Sequence, residues 1–276
     1  MVKNTNPIYK TMVWIIILVA CFLAIFPLIW MILASFKTKT EVFRVPLQIL
    51  PDEWNFSNYE KIFVKDNNFV RSMISTFFVS TIAVTLSLFI NTMAAYVFAR
   101  TEFHGKNALW WYVLLTMFIP GMTISLTSFL VVYNLNMLNT FSVLILPGLA
   151  SGYSVFFFRQ FYLSIPRSFE DAARIDGANR FMIYFNVFLP LSKAALVVFG
   201  MGTFLGYWNS FLWPSLTVTD PNKQQIMQII RSMSSMYSSE YGTIMAATTI
   251  ATIPGFILFL IFKRYIIQGV VLSGIK

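Results

Sequence analysis

Only one residue of the 276 is a cysteine and only one a histidine, so Cys21 cannot close an intrachain disulfide and His104 has no companions for a metal site. Charge is scarce too. Asp, Glu, Lys and Arg make up 11% of the chain, against about 25% in a soluble globular domain, while hydrophobic residues reach 57%. Such a chain belongs in a lipid bilayer. Its net charge of +9 contains no basic run, which argues against a nucleic-acid partner; the lysines and arginines sit in connections between apolar segments, as juxtamembrane residues do. There is no G-x4-G-K-[ST] phosphate loop, since Gly105-Lys106 lacks the upstream glycine, so ATP is not bound by that route. None of the apolar segments carries Asp, Glu, Lys, Arg or His in its core, which disfavours a proton relay, an ion-coupling carboxylate or a voltage sensor.

What the chain does have is six apolar segments, each suited to cross a hydrocarbon core of about 30 Å. They predict an all-α polytopic membrane protein with six transmembrane helices. Residues 1–11 are a short polar start and residues 12–34 the first span. Leu18-Val19-Ala20-Cys21 is similar to a lipoprotein cleavage box, but the apolar run continues past Cys21, as in a retained anchor. Residues 35–71 form a mixed loop with Pro46, Pro51, Trp54 and Tyr59, too hydrophobic for a floppy linker. The second span, about Ser72 to Phe98, carries a stripe of Thr76, Ser80, Ser87 and Asn91, suited either to helix-to-helix hydrogen bonding or to a water-lined path. The third, about Asn107 to Tyr133, is interrupted at Pro120-Gly121 and continues with Thr123, Ser125, Thr127 and Ser128, a pattern of broken helices that line cavities. Span four, about Phe141 to Phe158, contains Pro147 and Gly148-x3-Gly152; span five, about Ala194 to Leu216, contains Gly202-x3-Gly206. Both glycine pairs predict close backbone approach. Span six runs from about Gly242 to Phe262 and leaves a basic tail, residues 263–276.

Between spans four and five lies a charged island, Pro166 to Pro190. Ser168 followed by Asp171 reads as a capping box, so a short helix is expected from about Phe169. On it Phe169, Ala172, Ala173 and Asp176 share one small, apolar face ending in an acid, while Glu170 and Arg174 form an i,i+4 pair around the other side. Gly177 should stop or bend the helix.

The run Asp171-Ala172-Ala173, three residues, Gly177, nine residues, Val187-Phe188-Leu189-Pro190 resembles the EAA loop of membrane-spanning subunits of bacterial ABC importers, EAA-x3-G-x9-I-x-L-P. Asp171 and Val187 depart conservatively from it. The fuller EDAARIDGA, and Tyr207-Trp208-Asn209-Ser210-Phe211-Leu212-Trp213-Pro214, which is similar to WN-x-F-x-x-P, resemble the maltose-type sugar-importer branch, closest to the second permease subunit of the pair. The resemblance implies the type I importer transmembrane-domain fold over residues 72–262, with a coupling loop at 166–190. It implies a non-catalytic subunit with no cofactor of its own, ATP and magnesium being bound by partners. Those partners are a second, related permease, two copies of an ABC ATPase and an extracytoplasmic sugar-binding protein, with membrane lipid around them. Glu170, Asp171, Ala172, Ala173, Asp176 and Gly177 would meet the ATPase, and Gln268, Gly269 and Gly274 of the tail would reach between the two ATPases. A sugar path is expected at or beside Asn91, Thr123, Trp208 and Asn209. The alternatives are an ABC permease for glycerol phosphate or a polyamine, and a secondary transporter.

Six spans put both termini on one side. With termini, Arg100 loop and coupling loop in the cytoplasm of a bacterial cell, Lys plus Arg number 12 inside and 8 outside, six of the outer ones lying in the single loop 35–71. The positive-inside rule favours that orientation.

Overall fold

Every regular element is helical among the described residues of the computed structural model, which are 7–46, 48–65, 67–236 and 240–274. The elements used below are α1 (Pro7–Ala34), α2 (Asn67–Arg100), α3 (Lys106–Thr116), α4 (Gly121–Asn134), α5 (Phe141–Ile145), α6 (Gly152–Ser164), α7 (Ser168–Ile175), α8 (Arg180–Ile183), α9 (Lys193–Trp208), α10 (Leu212–Thr217), α11 (Ile226–Met236) and α12 (Tyr241–Gly274). Helices α1, α2 and α12 are each long and apolar enough to cross a membrane. Three bent pairs raise the number of spanning units to as many as six: α3 with α4 at 106°, Phe141–Gly148 with α6 at 47°, and Arg180–Leu191 with α9 at 79°.

A proline lies at or just before each break, offering no N–H to the preceding turn and crowding the carbonyl four residues back, although Pro27 and Pro254 sit inside unbroken helices. Pro120 is extended, with φ −62° and ψ 130°, and α4 restarts at Gly121. Pro190 follows a wide π turn at Tyr184–Phe188, which loosens the helix ahead of it. Span five differs from expectation. Its apolar run was placed at 194–216, but α9 ends at Trp208, where the Asn209 N–H closes on the Leu205 carbonyl, and α10 is a separate short helix. Pro214 could not have donated to Ser210 in a continuous helix, and by length and composition α9 qualifies as a span together with Arg180–Leu191, bent at 79°. Helix α12 also runs on past Phe262 to Gly274, so the basic tail begins as a helical continuation of span six.

The chain forms two compact units, Met1–Phe69 with Ile230–Ile253, and Val70–Ile229 with Pro254–Lys276. In the first, none of the apolar window of α1 is buried by the chain, which leaves that surface for lipid or another subunit. The connection after it is tightly folded. Asn58, 4% exposed, donates to the carbonyls of Ser35 at 2.8 Å and Lys37 at 3.0 Å and accepts from Thr243 Oγ1 at 3.1 Å. Gly242 is required beside it, since a Cβ there would collide with the Lys37 carbonyl and the Asn58 amide. Lys37 is buried, donates to the Gln48 carbonyl and lies 4.6 Å from the Trp30 ring. Desolvation pushes its ammonium below the ordinary lysine value, opposed by the charges of Glu41 and Asp52. Burial alone would raise the Glu41 carboxyl, but hydrogen bonds from the Thr38 side chain, the Thr38 N–H and the Asp52 N–H hold it below the usual range.

In the second unit two buried clusters stand apart. One is aromatic, with Tyr96, Phe158, Tyr162, Tyr184 and Phe188 at its centre; the other is aliphatic, built from Val79, Ala83, Val132, Val143, Leu144, Ile145, Leu149 and Val218. Of the two glycine pairs, the first has the expected close approach: a Cβ on Gly152 would meet the Val113 carbonyl of α3 at 2.8 Å. The second does not. Nothing lies within 4 Å of a Cβ at Gly202 or Gly206, whereas Gly200 and Gly255 meet Leu88 and Leu205 at 3.1 and 3.2 Å.

Candidate functional site

The charged island folds as α7, a tight stop, and α8. The capping box does not form. A turn at Pro166–Arg167 supplies the first acceptors through backbone alone: Phe169 N–H bonds to the Pro166 carbonyl, and Glu170 and Asp171 N–H groups bond to that of Arg167 at 2.9 and 3.0 Å. Arg167 is thus the N-cap, and the Ser168 side chain is not called upon. At the other end Gly177 adopts φ +82°, its N–H reaches the Arg174 carbonyl at 3.0 Å, and Ala178 N–H reaches Ala173 at 2.9 Å. This is a Schellman stop, in which a left-handed glycine satisfies the last carbonyls. Asn179 then caps α8 by accepting from Met182 N–H at 2.9 Å.

The faces of α7 divide differently from the simple helical wheel. Glu170, 6% exposed, turns inward and accepts from Arg174. Ala173 and Ala178 pack on the aromatic cluster. Phe169, Asp171, Ala172, Ile175, Asp176 and Gly177 are exposed, Ile175 at 85%, and no described residue lies within 4 Å of a Cβ at Gly177. An outward surface mixing two small residues, two large apolar ones and two acids is a surface another protein can cover.

The second feature is a cavity of about 560 Å³. Eight hydroxyl residues line it, Ser87, Ser125, Ser128, Ser151, Ser154, Thr203, Tyr207 and Ser210, with Gln225 and Trp213; among the described residues no Asp, Glu, Lys, Arg or His does. Its wall depends on the Pro147 break. Without a proline N–H the Val143 carbonyl is left open, and Trp213 Nε1 donates to it at 2.9 Å. Tyr207 donates to the Ile145 carbonyl at 3.3 Å, and Ser87 and Asn91 donate to that of Leu149 at 2.9 and 2.8 Å. Broken backbone at membrane depth survives only when side chains re-satisfy it in this way.

A family model described as the binding-protein-dependent transport system inner membrane component matches residues 91–271. The chain belongs to that family. Among its relatives is the arabinooligosaccharides transport system permease protein AraQ of Halalkalibacterium halodurans, 33% identical over 279 residues and the full length of both chains. Another is the sn-glycerol-3-phosphate transport system permease protein UgpE of Yersinia enterocolitica, 31% identical, covering 93% of this chain and 94% of the relative. The fold matches that of a chain in the crystal structure of a bacterial ABC transporter involved in import of the acidic polysaccharide alginate, with a TM-score of 0.83, 21% identity, and 96% and 99% coverage of the two chains.

In this permease the residues expected along a solute path are neighbours of the cavity rather than its lining. Asn91 is 1% exposed and fully committed: its amide donates to Ser87 and Leu149, and its oxygen accepts from Ser151 N–H at 2.9 Å. Of the two uses open to the polar stripe on α2, Thr76 and Asn91 serve helix ties, Thr76 by accepting from Ile226 N–H at 2.8 Å. Trp208 is buried and stacks on Phe204 at 5.6 Å, while Thr123 and Asn209 are exposed. The lining falls on the adjacent residues, Ser87, Met122, Ile124, Tyr207 and Ser210. Ser151, Ser154, Thr203 and Gln225 escaped notice: Ser151 looks like, and is, an N-cap, and Gln225 sits in a loop whose fold is not local. Backbone places Gln268, Gly269 and Gly274 in the last turns of α12, and Ile275 and Lys276 lie outside the described residues.

Proposed function

We propose that this permease forms half of the translocation path of an ATP-driven importer for a neutral carbohydrate. The observation that carries this reading is the cavity free of charged side chains and rich in hydroxyls, in a member of the binding-protein-dependent family. A sugar gives up water hydrogen bonds on entry, and hydroxyls and an amide replace them, while Trp213 and Tyr207 offer ring faces. A phosphate ester would need cations and a polyamine would need carboxylates, so the glycerol-phosphate chemistry of one relative fits this wall less well than the arabinooligosaccharide chemistry of the other.

Energy enters through 166–190. The exposed face of Phe169, Asp171, Ala172, Ile175 and Asp176 docks on a partner ATPase, one of two copies, which alone hydrolyses ATP with magnesium; this chain is non-catalytic and carries no cofactor. A related permease completes the path, an extracytoplasmic sugar-binding protein delivers the solute, and the tail residues Gln268, Gly269 and Gly274 approach the ATPases. Both termini are cytoplasmic, as the distribution of lysine and arginine favours. Closure of the ATPases moves the coupling helices together and switches the path between inward and outward access. The test is ATP-dependent uptake by the complete complex in liposomes. Uptake of a neutral arabinooligosaccharide in preference to sn-glycerol 3-phosphate is expected; the reverse preference would overturn the sugar assignment.

A further inference from the structure

Two buried polar atoms beneath the coupling helix have no hydrogen-bond partner, Tyr96 Oη and Arg100 Nε. They lie four residues apart on α2 and so share one face of its last turns. Tyr96 is 4% exposed, its ring 5.6 Å from Tyr184 and 5.0 Å from Phe188. Arg100 stacks 5.0 Å from the Phe188 ring and donates through Nη2 to the carbonyls of Tyr162 and Ile165, at the end of α6 where the chain leaves for α7. It holds the root of the coupling helix. Buried donors are rarely left open, so such a pair calls for a physical reason.

Glu170 stands one turn before Ala173 on α7, and Ala173 packs on the cluster that contains Tyr96 and Phe188. Glu170 is itself buried, yet its hydrogen bond goes outward to Arg174, whose side chain is 54% exposed. A carboxylate accepts up to about four hydrogen bonds, so Glu170 has capacity to spare. We propose that Tyr96 and Arg100 are positioning residues for the coupling helix, with Glu170 exchanging Arg174 for the Tyr96 hydroxyl and Arg100 Nε when a partner surface engages the outer face of α7. The helix thereby has two hydrogen-bonded registers on a fixed aromatic base, and docking selects the inner one. This inference rests on residues 166–190 being the coupling segment.

The informative variant is Tyr96→Phe. It deletes a hydroxyl that makes no bond in the present register, so a purely structural role predicts unchanged or raised thermal stability and unchanged transport. In the complete importer in liposomes, the expected result is unchanged assembly and basal hydrolysis with sugar moved per ATP reduced about fivefold to tenfold. Glu170→Gln should lower the same ratio, and the double variant should be no worse than Glu170→Gln alone, since both changes remove one interaction. Wild-type transport per ATP in Tyr96→Phe, or losses that multiply in the double variant, would overturn the proposal. Ala172→Arg on the exposed face separates the two claims. If it blocks ATPase assembly while Tyr96→Phe is silent, only the register exchange fails; if the ATPase still assembles on Ala172→Arg, the coupling assignment falls and the exchange with it.

Discussion

The two buried clusters of the second unit solve opposite problems. Under the coupling segment the core is made of large rings with polar tips. Phe158, Tyr162, Tyr184 and Phe188 are each no more than 1% exposed, with Tyr184 bonded to Thr92 at 2.8 Å and Tyr162 accepting from Ser192 at 3.4 Å. Beside the cavity the core is Val, Leu, Ile and Ala, and the polar work falls to Ser87, Asn91, Tyr207 and Trp213, which take up the carbonyls around Pro147. The segment proposed to receive force rests on interlocking rings in edge-to-face and tilted contacts. The cavity proposed as the solute path is instead walled by broken helices whose open carbonyls are tied individually. Rigidity and access are thus provided by different side-chain chemistry within one chain.

The largest effect should come from Phe188→Ala. Removing a fully buried ring costs about 3–5 kcal/mol and should loosen the coupling segment, seen as a lower thermal midpoint and susceptibility of 166–190 to proteolysis. A midpoint lowered no more than by a surface substitution would mean the aromatic base is not the anchor. Gly177→Val comes next. No neighbour lies within 4 Å of the added Cβ, so the cost is the left-handed backbone, about 1–2 kcal/mol, and Gly177→Asn should recover most of it. Equal losses for Val and Asn would point to a steric contact with a partner instead. The smallest effect is expected for Trp213→Phe, which keeps the ring and abandons the Val143 carbonyl, at about 1 kcal/mol, with transport weakened more than assembly. An unchanged variant would show that water re-satisfies the break.

The spans were legible because apolar runs of that length have few other uses, and Pro120-Gly121 announced the break between α3 and α4; Pro147 and Pro190 gave no such signal, since Pro27 and Pro254 sit inside unbroken helices. The bend angles were not legible, because a proline removes a bond without specifying what replaces it. The end of span five was misjudged because Phe211, Leu212 and Leu216 keep the run apolar, while α9 ends at its C-cap Asn209 and the chain restarts as α10. Ser168 carried the chemistry of a cap, but a backbone turn at Pro166 reached the same N–H groups first. Asn91 was visible as a costly polar residue; that its partners are Leu149 and Ser151, about 60 positions away, is information held only by the packed helices.

The central claim, that neutral sugar passes along the uncharged cavity of this subunit, is tested most directly by protection of a single thiol. With Cys21→Ser as background, Ser210→Cys places a cysteine in the cavity wall. Its modification by a small thiol reagent would be followed in the complete complex during ATP turnover, with and without an arabinooligosaccharide. The account predicts that sugar slows modification at position 210 and leaves a control cysteine at the exposed His104 position, outside the docking face, unaffected. Equal rates with and without sugar at position 210, during demonstrated uptake, would contradict it.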